Sequence, residues 1–149
     1  SSQSRGLGDV YKRQPMVDSY LEDVHGGKNV SGFRATCLQC HLPHNSPLDY
    51  GLAKARTGLH DFWAQWTYDL EKIDWVAKRE RREEYTYDSG CLSCHQNLER
   101  STMASNKAFV AHRPYFQKTT QKTCVTCHAH VGHFELLHSL REHQGVAQF

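Results

Sequence analysis

The sequence predicts an all-α fold of short helices and loops without a continuous side-chain core. Three observations carry this. Apolar residues recur at helical spacing in several segments. No run of residues reads as a strand. The chain is also poor in apolar side chains, with 38% hydrophobic residues and a mean hydropathy of −0.70 over 149 residues. That length suits one domain, yet such a domain ordinarily draws most of its stability from a buried apolar centre. Something besides side chains has to supply part of that volume.

The elements are taken in chain order. Residues 1–14 (SSQSRGLGDVYKRQ) differ in composition from the rest of the chain and are set apart as a non-native or disordered leader, which places the folded domain at 15–145. Val17, Tyr20, Leu21 and Val24 predict a short helix within 15–30, and Gly26-Gly27 ends it. Pro43, Asn45, Ser46 and Pro47 mark a loop. Leu52, Ala55, Leu59 and Trp63 keep to one face of a helix over 48–66. A second or bent helix is expected over 69–85, and its charged tail, Lys78 to Glu84, reads as a solvated face with i, i+4 pairs. Asp88-Ser89-Gly90 reads as a turn. A helix over 96–115 ends near Pro114, and a last short one lies around 134–141. The cysteine-bearing segments are unequally spaced, so no solenoid is predicted.

Charge excludes one class of partner. Eighteen basic and 16 acidic residues give a net +2. That balance, with no basic run interleaved by aromatics, argues against nucleic acid. No stretch approaches the roughly 18 to 20 apolar residues of a membrane helix, and no basic start followed by an apolar run opens the chain.

The six cysteines fall into three pairs, Cys37/Cys40, Cys91/Cys94 and Cys124/Cys127, and each pair is followed at once by a histidine: His41, His95 and His128. Cys-x-x-Cys-His is the signature of c-type heme attachment. Two thiols add across the vinyl groups of one porphyrin edge, and the spacing lets both reach it. The next imidazole then takes an axial position on iron. Zinc explains the pattern less well. It needs four ligands, so three pairs leave a remainder, and it gives no reason for a histidine after every pair. With 11 histidines in the chain, three chance placements have a probability of about one in a few thousand. A thioredoxin-like pair would sit in a βαβ pattern, which is absent. Disulfides between the pairs would leave the histidines unexplained.

Three six-coordinate hemes need three distal ligands. His25, His44, His60, His112, His130, His133, His138 and His143 remain, with Met16 and Met103 as sulfur alternatives. Paired histidine ligation favours lower potentials than His/Met ligation.

With these motifs in place, the chain resembles the periplasmic part of the NapC/NirT family of membrane-anchored tetraheme cytochromes, especially its NrfH-like branch, the small subunit of cytochrome c nitrite reductase. The resemblance spans roughly residues 15–140. It rests on MVDSYLEDVH (16–25), SGFRAT leading into Cys37, Cys-His-Leu-Pro after the first motif, Asp88-Ser89 before Cys91, and Lys122-Thr123-Cys124 through Val131-Gly132-His133. It implies oxidation of membrane quinol and transfer of electrons through closely spaced hemes to a periplasmic terminal reductase, with nitrite or nitrate reduction expected. It implies distal iron ligands at His112 and His133, with His25 as a third candidate. Lys54 and Asp61 match a lysine and an acidic residue near the family's quinol site. There, a lysine can bind a quinone oxygen and a carboxylate can accept a quinol proton. The family pattern begins with a transmembrane helix and a further Cys-x-x-Cys-His ahead of the segment that 16–25 matches. The expectation is therefore an N-terminally truncated protein that carries three heme c groups here and a fourth in the full-length form. Its location would be the periplasmic side of the bacterial inner membrane, anchored by the missing helix.

Competing readings are a soluble triheme carrier without a quinone site, catalysis at an open heme, and a zinc-stabilised binding module. The surplus of histidines argues against an open heme.

Overall fold

The structure is a computed structural model, and it describes residues 14–67 and 73–143. The described residues are helix and loop, with no strand among them. Helix α1 covers residues 14–21, where Gln14 donates to Asp18 Oδ1 one turn on (2.8 Å). It is shorter than the predicted helix. The chain folds back over its last turn, and a Cβ at Gly26 or Gly27 would collide with the carbonyl oxygens of Tyr20 or Leu21. The two glycines allow that reversal by close approach.

Helix α2 is Cys37–His41, and α3 is Pro47–Thr67. Ser46 accepts the Asp49 N–H (3.1 Å) and Pro47 fills the first helical position, where its missing N–H has no cost. The predicted face of α3 exists but is not covered: Leu52 and Leu59 are each 71% exposed and Trp63 67%.

Of the helix expected over 69–85, residues 69–72 lie outside the described residues. The rest is α4, Trp75–Glu80, followed by a 3-10 turn at Arg82–Glu84. Asp74 starts α4 by accepting the Ala77 N–H (2.8 Å), a helix start that breaks the predicted continuity. The charged tail is only partly a solvated face. Arg79 pairs with Glu80 and Arg81 with Glu84, but Arg82 turns inward and donates to the carbonyls of Val125 (2.8 Å) and Thr126 (3.3 Å).

Helix α5 is Asp88–Cys94, so the predicted turn at 88–90 is in fact its first turn. The helix expected over 96–115 is two helices, α6 (Leu98–Thr102) and α7 (Asn106–Phe116), packed against each other. Ser105 caps α7. Pro114 lies inside α7 rather than ending it, and the helix stops where Lys118 adopts a left-handed φ of 54°, an ordinary helix-ending conformation. Helix α8 is Cys124–Cys127 and α9 is Leu136–His143.

The buried apolar side chains among the described residues are Leu42, Val125, Leu136 and Leu140, together with Pro15 and Pro43. Leu136 and Leu140 are one turn apart on α9, which packs against α4. The tightest junction is between α2 and α5. Gly90 is buried, and a Cβ there would collide with the Gln39 carbonyl oxygen. Gly90→Ala has to push the two motif helices apart. Thermal unfolding is expected to show a loss of about 1–3 kcal/mol, the usual range for overpacking; an unchanged Tm would mean that the contact relaxes freely.

Candidate heme-binding site

Each Cys-x-x-Cys pair occupies one helical turn: Cys37 and Cys40 on α2, Cys91 and Cys94 on α5, Cys124 and Cys127 on α8. Residues at i and i+3 share a helix face, so both thiols of a pair point the same way. The histidine comes at the turn's end. The helices start at these positions for a local reason. Gln39 Oε1 accepts the Thr36 N–H (2.6 Å), and Thr126 Oγ1 accepts the Thr123 N–H (2.9 Å). A Thr before the first cysteine with a polar residue at the third helical position is a reciprocal cap.

The three motifs are tied together through the start of α5. The Tyr87 N–H donates to the Cys40 carbonyl (3.1 Å). Ser89 Oγ accepts the His44 N–H (2.9 Å). Asp88 Oδ1 accepts the Cys124 N–H (2.9 Å). None of the six cysteines is in a disulfide, and those of different motifs lie close enough to interact. A hydrogen bond from Cys124 lowers the Cys91 thiol to about 7, whereas the same bond, burial and Asp88 raise Cys124. Burial and then Cys91 raise Cys40. Burial and then Asp88 raise the Tyr115 phenol.

The histidines form pairs. The ring centroids of His25 and His95 are 6.2 Å apart, those of His41 and His133 6.2 Å, and those of His112 and His128 6.0 Å. Every motif histidine thus faces one histidine from outside the motifs. Two imidazoles on one metal ion, each with a metal–nitrogen bond of about 2 Å and a nitrogen ~1.1 Å from its ring centre, have centroids about 6 Å apart.

Hydrogen bonds fix the tautomers. His41 Nδ1 lies 2.6 Å from the Tyr85 carbonyl, His112 Nδ1 2.8 Å from the Ala108 carbonyl, and His133 Nδ1 3.1 Å from both the Met16 carbonyl and Ser19 Oγ. The Ser19 hydroxyl itself donates to the Met16 carbonyl (3.0 Å). His25 Nδ1 lies 2.9 Å from Asp23 Oδ1. Carbonyl and carboxylate oxygens only accept, so Nδ1 carries the hydrogen in each ring and Nε2 keeps its lone pair for a metal. Burial, and then the facing His41, lower the pKa of His133 and favour that neutral form.

This donor set fits heme. A heme iron takes four nitrogens from its macrocycle and two axial ligands from protein, and the imidazoles converge in twos. Among the described residues, no three His, Cys, Asp or Glu side chains are placed to hold a metal ion by themselves, whereas a structural zinc needs four.

The remaining candidates are less organised. Lys54 and Asp61 are both exposed on α3, two turns apart on one face, and His60 Nδ1 lies 3.7 Å from Asp61. An open groove of about 410 Å³ runs along another flank of α3, lined by Pro43, Asn45, Asp49, Leu52, Ala53, Arg56 and Tyr87; neither Lys54 nor Asp61 lines it. Met103 is exposed between α6 and α7. His44 stacks near Tyr50 (5.4 Å), and His138 pairs with Glu142 (3.5 Å). Sequence reasoning missed Asp23, Ser19 and Arg82. The only trace of the first two was their placement in the 16–25 segment; Arg82 was hidden in a charge run.

Thiol pairs on single helical turns, each followed by a histidine that faces a second histidine, define a c-type cytochrome domain. The chain belongs to the NapC/NirT cytochrome c family, whose N-terminal region matches residues 10–138; that membership implies covalently bound heme c. It is similar to cytochrome c-type protein TorC of Escherichia coli (strain K12), at 23% identity over 133 residues, covering 83% of this chain and 33% of TorC. It is similar to NapC of the same strain, at 26% over 127 residues, covering 81% of this chain and 62% of NapC. It is also similar to NrfH of Wolinella succinogenes, at 31% over 101 residues, covering 67% of this chain and 54% of NrfH. The chain therefore spans between a third and just under two-thirds of these relatives. No solved structure matches it. No helix among the described residues is long and apolar enough to cross a membrane.

Asp88→Ala removes the acceptor that ties α5 to α8 and leaves the Cys124 N–H without its partner. The expected loss is about 1–3 kcal/mol, read from the denaturant midpoint of the heme-loaded protein.

Proposed function

We propose that the chain carries three heme c groups, each capped by a second histidine, and passes electrons from membrane quinol to a periplasmic terminal reductase in anaerobic respiration. The observation that carries this is the set of three imidazole pairs at 6.0–6.2 Å. Cys37/Cys40, Cys91/Cys94 and Cys124/Cys127 hold the macrocycles. His41, His95 and His128 are the proximal ligands, and His133, His25 and His112 face them as distal ligands. Bound heme supplies a one-electron iron couple. The residues of the chain fix its ligands and orientation, since each Nδ1–H···O bond holds a ring against rotation. Two axial imidazoles leave no open coordination position, which suits electron transfer rather than catalysis at iron.

The donor and acceptor sides of this reading rest on the relatives. NapC, TorC and NrfH are cytochrome c-type proteins, and the resemblance to the NrfH-like branch supports a nitrite reductase catalytic subunit, or one like it, as the acceptor on the periplasmic face of the inner membrane. Lys54 and Asp61 are the proposed quinol contacts: the ammonium binds a quinone oxygen and the carboxylate accepts a quinol proton.

The test is heme counting and spin state. The chain, matured with covalent heme, is expected to show three hemes and fully low-spin iron by electron paramagnetic resonance. His25→Ala, His112→Ala and His133→Ala are each expected to turn about one-third of the iron high-spin. Variants that stay fully low-spin would sink the ligand assignment. In a separate assay, Lys54→Ala and Asp61→Ala are expected to slow heme reduction by a quinol about tenfold or more and to leave reduction by dithionite unchanged.

A further inference from the structure

The paired imidazoles differ in what receives their Nδ1–H. For His41, His112 and His133 the acceptors are neutral: backbone carbonyls, with the Ser19 hydroxyl beside His133. Among the described residues, His25 is the only paired imidazole that donates to a carboxylate, Asp23 Oδ1 at 2.9 Å. The same oxygen also accepts the His25 backbone N–H (2.7 Å). Asp23 is 6% exposed. A carboxylate is expensive to bury unless its charge is partnered, and here one oxygen takes two bonds from one residue.

A carboxylate behind a metal-ligating imidazole does two things. It fixes the ring, and it raises the basicity of the nitrogen that faces the metal. A stronger donor and a nearby negative charge both favour the oxidised metal. Among the described residues, only His25 is hydrogen-bonded to the Asp23 carboxylate.

We infer that Asp23 is a positioning residue that acts through His25 and makes the iron bracketed by His25 and His95 the lowest-potential centre of the three. This rests on the proposed ligation. It assigns a thermodynamic order that the motifs alone do not contain, since all three motifs have the same residues at the ligating positions. A structural alternative exists, because Asp23 also organises the turn after α1, its carbonyl accepting the Gly26 and Lys28 N–H groups.

The experiment is a potentiometric titration of the three-heme protein, followed optically and by electron paramagnetic resonance. Asp23→Asn keeps an oxygen in place for both hydrogen bonds and removes the charge. The lowest-potential wave is expected to rise more than either of the other two. Waves that do not move, or a largest shift at either of the other centres, would overturn the inference. His25→Ala supplies a measurement independent of whether the Asn variant matures. The centre that turns high-spin has to be the one that titrates lowest in the parent protein, and a higher-titrating centre would overturn the inference. If His25→Ala leaves every iron low-spin, the ligation reading has failed instead, a result distinct from an unshifted wave. Asp23→Glu, which restores the charge, is expected to return the wave toward its original position; a turn-forming role alone would give Asn and Glu the same potential.

Discussion

The structure is organised around one spacing, the 6.0–6.2 Å between the ring centroids of three imidazole pairs. Two of the three pairs join distant parts of the chain. His133 meets His41 only because the segment before α9 packs on α1, where the Phe134 N–H donates to the Ser19 carbonyl (3.1 Å) and Ser19 is fully buried. His25, in the turn after α1, meets His95 at the end of α5. Few apolar side chains help: Leu42, Val125, Leu136 and Leu140 are a small core for a chain of this length. Heme c, which family membership implies, is a large apolar body fixed to the chain at two thiols. Its attachment limits the freedom of the unfolded chain, and its burial supplies contacts that the side chains do not make. The low hydropathy and the pairing of histidines are thus two consequences of one arrangement.

The start of α5 decides how the motifs sit relative to one another. Tyr87 holds the end of α2, Ser89 holds the loop after it, Asp88 holds the start of α8, and Gly90 lets α5 approach the backbone of Gln39. Four consecutive residues therefore set the geometry among three cysteine pairs. The hydrogen bond between Cys91 and Cys124, and the nearness of Cys40 to Cys91, result from that closeness.

The sequence made the chemistry more legible than the path of the chain. Six cysteines and three histidines at fixed spacing identify an attachment site because the reaction dictates that spacing. The all-α class was legible from helical periodicity, and α3 was placed to within a residue at each end because it is long, capped and strongly patterned. The α6–α7 break at 103–105 was missed. Such short helices carry weak periodic signal, and the start of α7 depends on one hydroxyl, that of Ser105. Helix α7 also runs through Pro114, where a helix end was expected; a proline in the last turn removes one hydrogen bond without stopping the helix, and the stop is set by the backbone of Lys118. Which distal histidine faces which motif was not legible, because it depends on contacts between residues remote in sequence. Asp23 was invisible for the same reason: an acidic residue in a short helical segment is ordinarily a solvated charge, and only the fold buries it beside a ring.

Helix α3 raises a question of a different kind. Leu48, Leu52, Leu59, Phe62, Trp63 and Trp66 lie along one stripe of it, and all are more than 60% exposed. Lys54 and Asp61 lie on the far side of the helix, about 140° around its axis from that stripe. A quinol needs both kinds of surface: an apolar stretch for its ring and tail, and a cation and a carboxylate for its oxygen and proton. Helix α3 carries the two on opposite sides, so the apolar stripe and the Lys54/Asp61 pair are separate surfaces. The same stripe makes the helix an unusual one for water, since exposed apolar patches of this kind mark surfaces that meet something apolar. Among the described residues, this stripe is an exposed apolar surface that an apolar partner would cover.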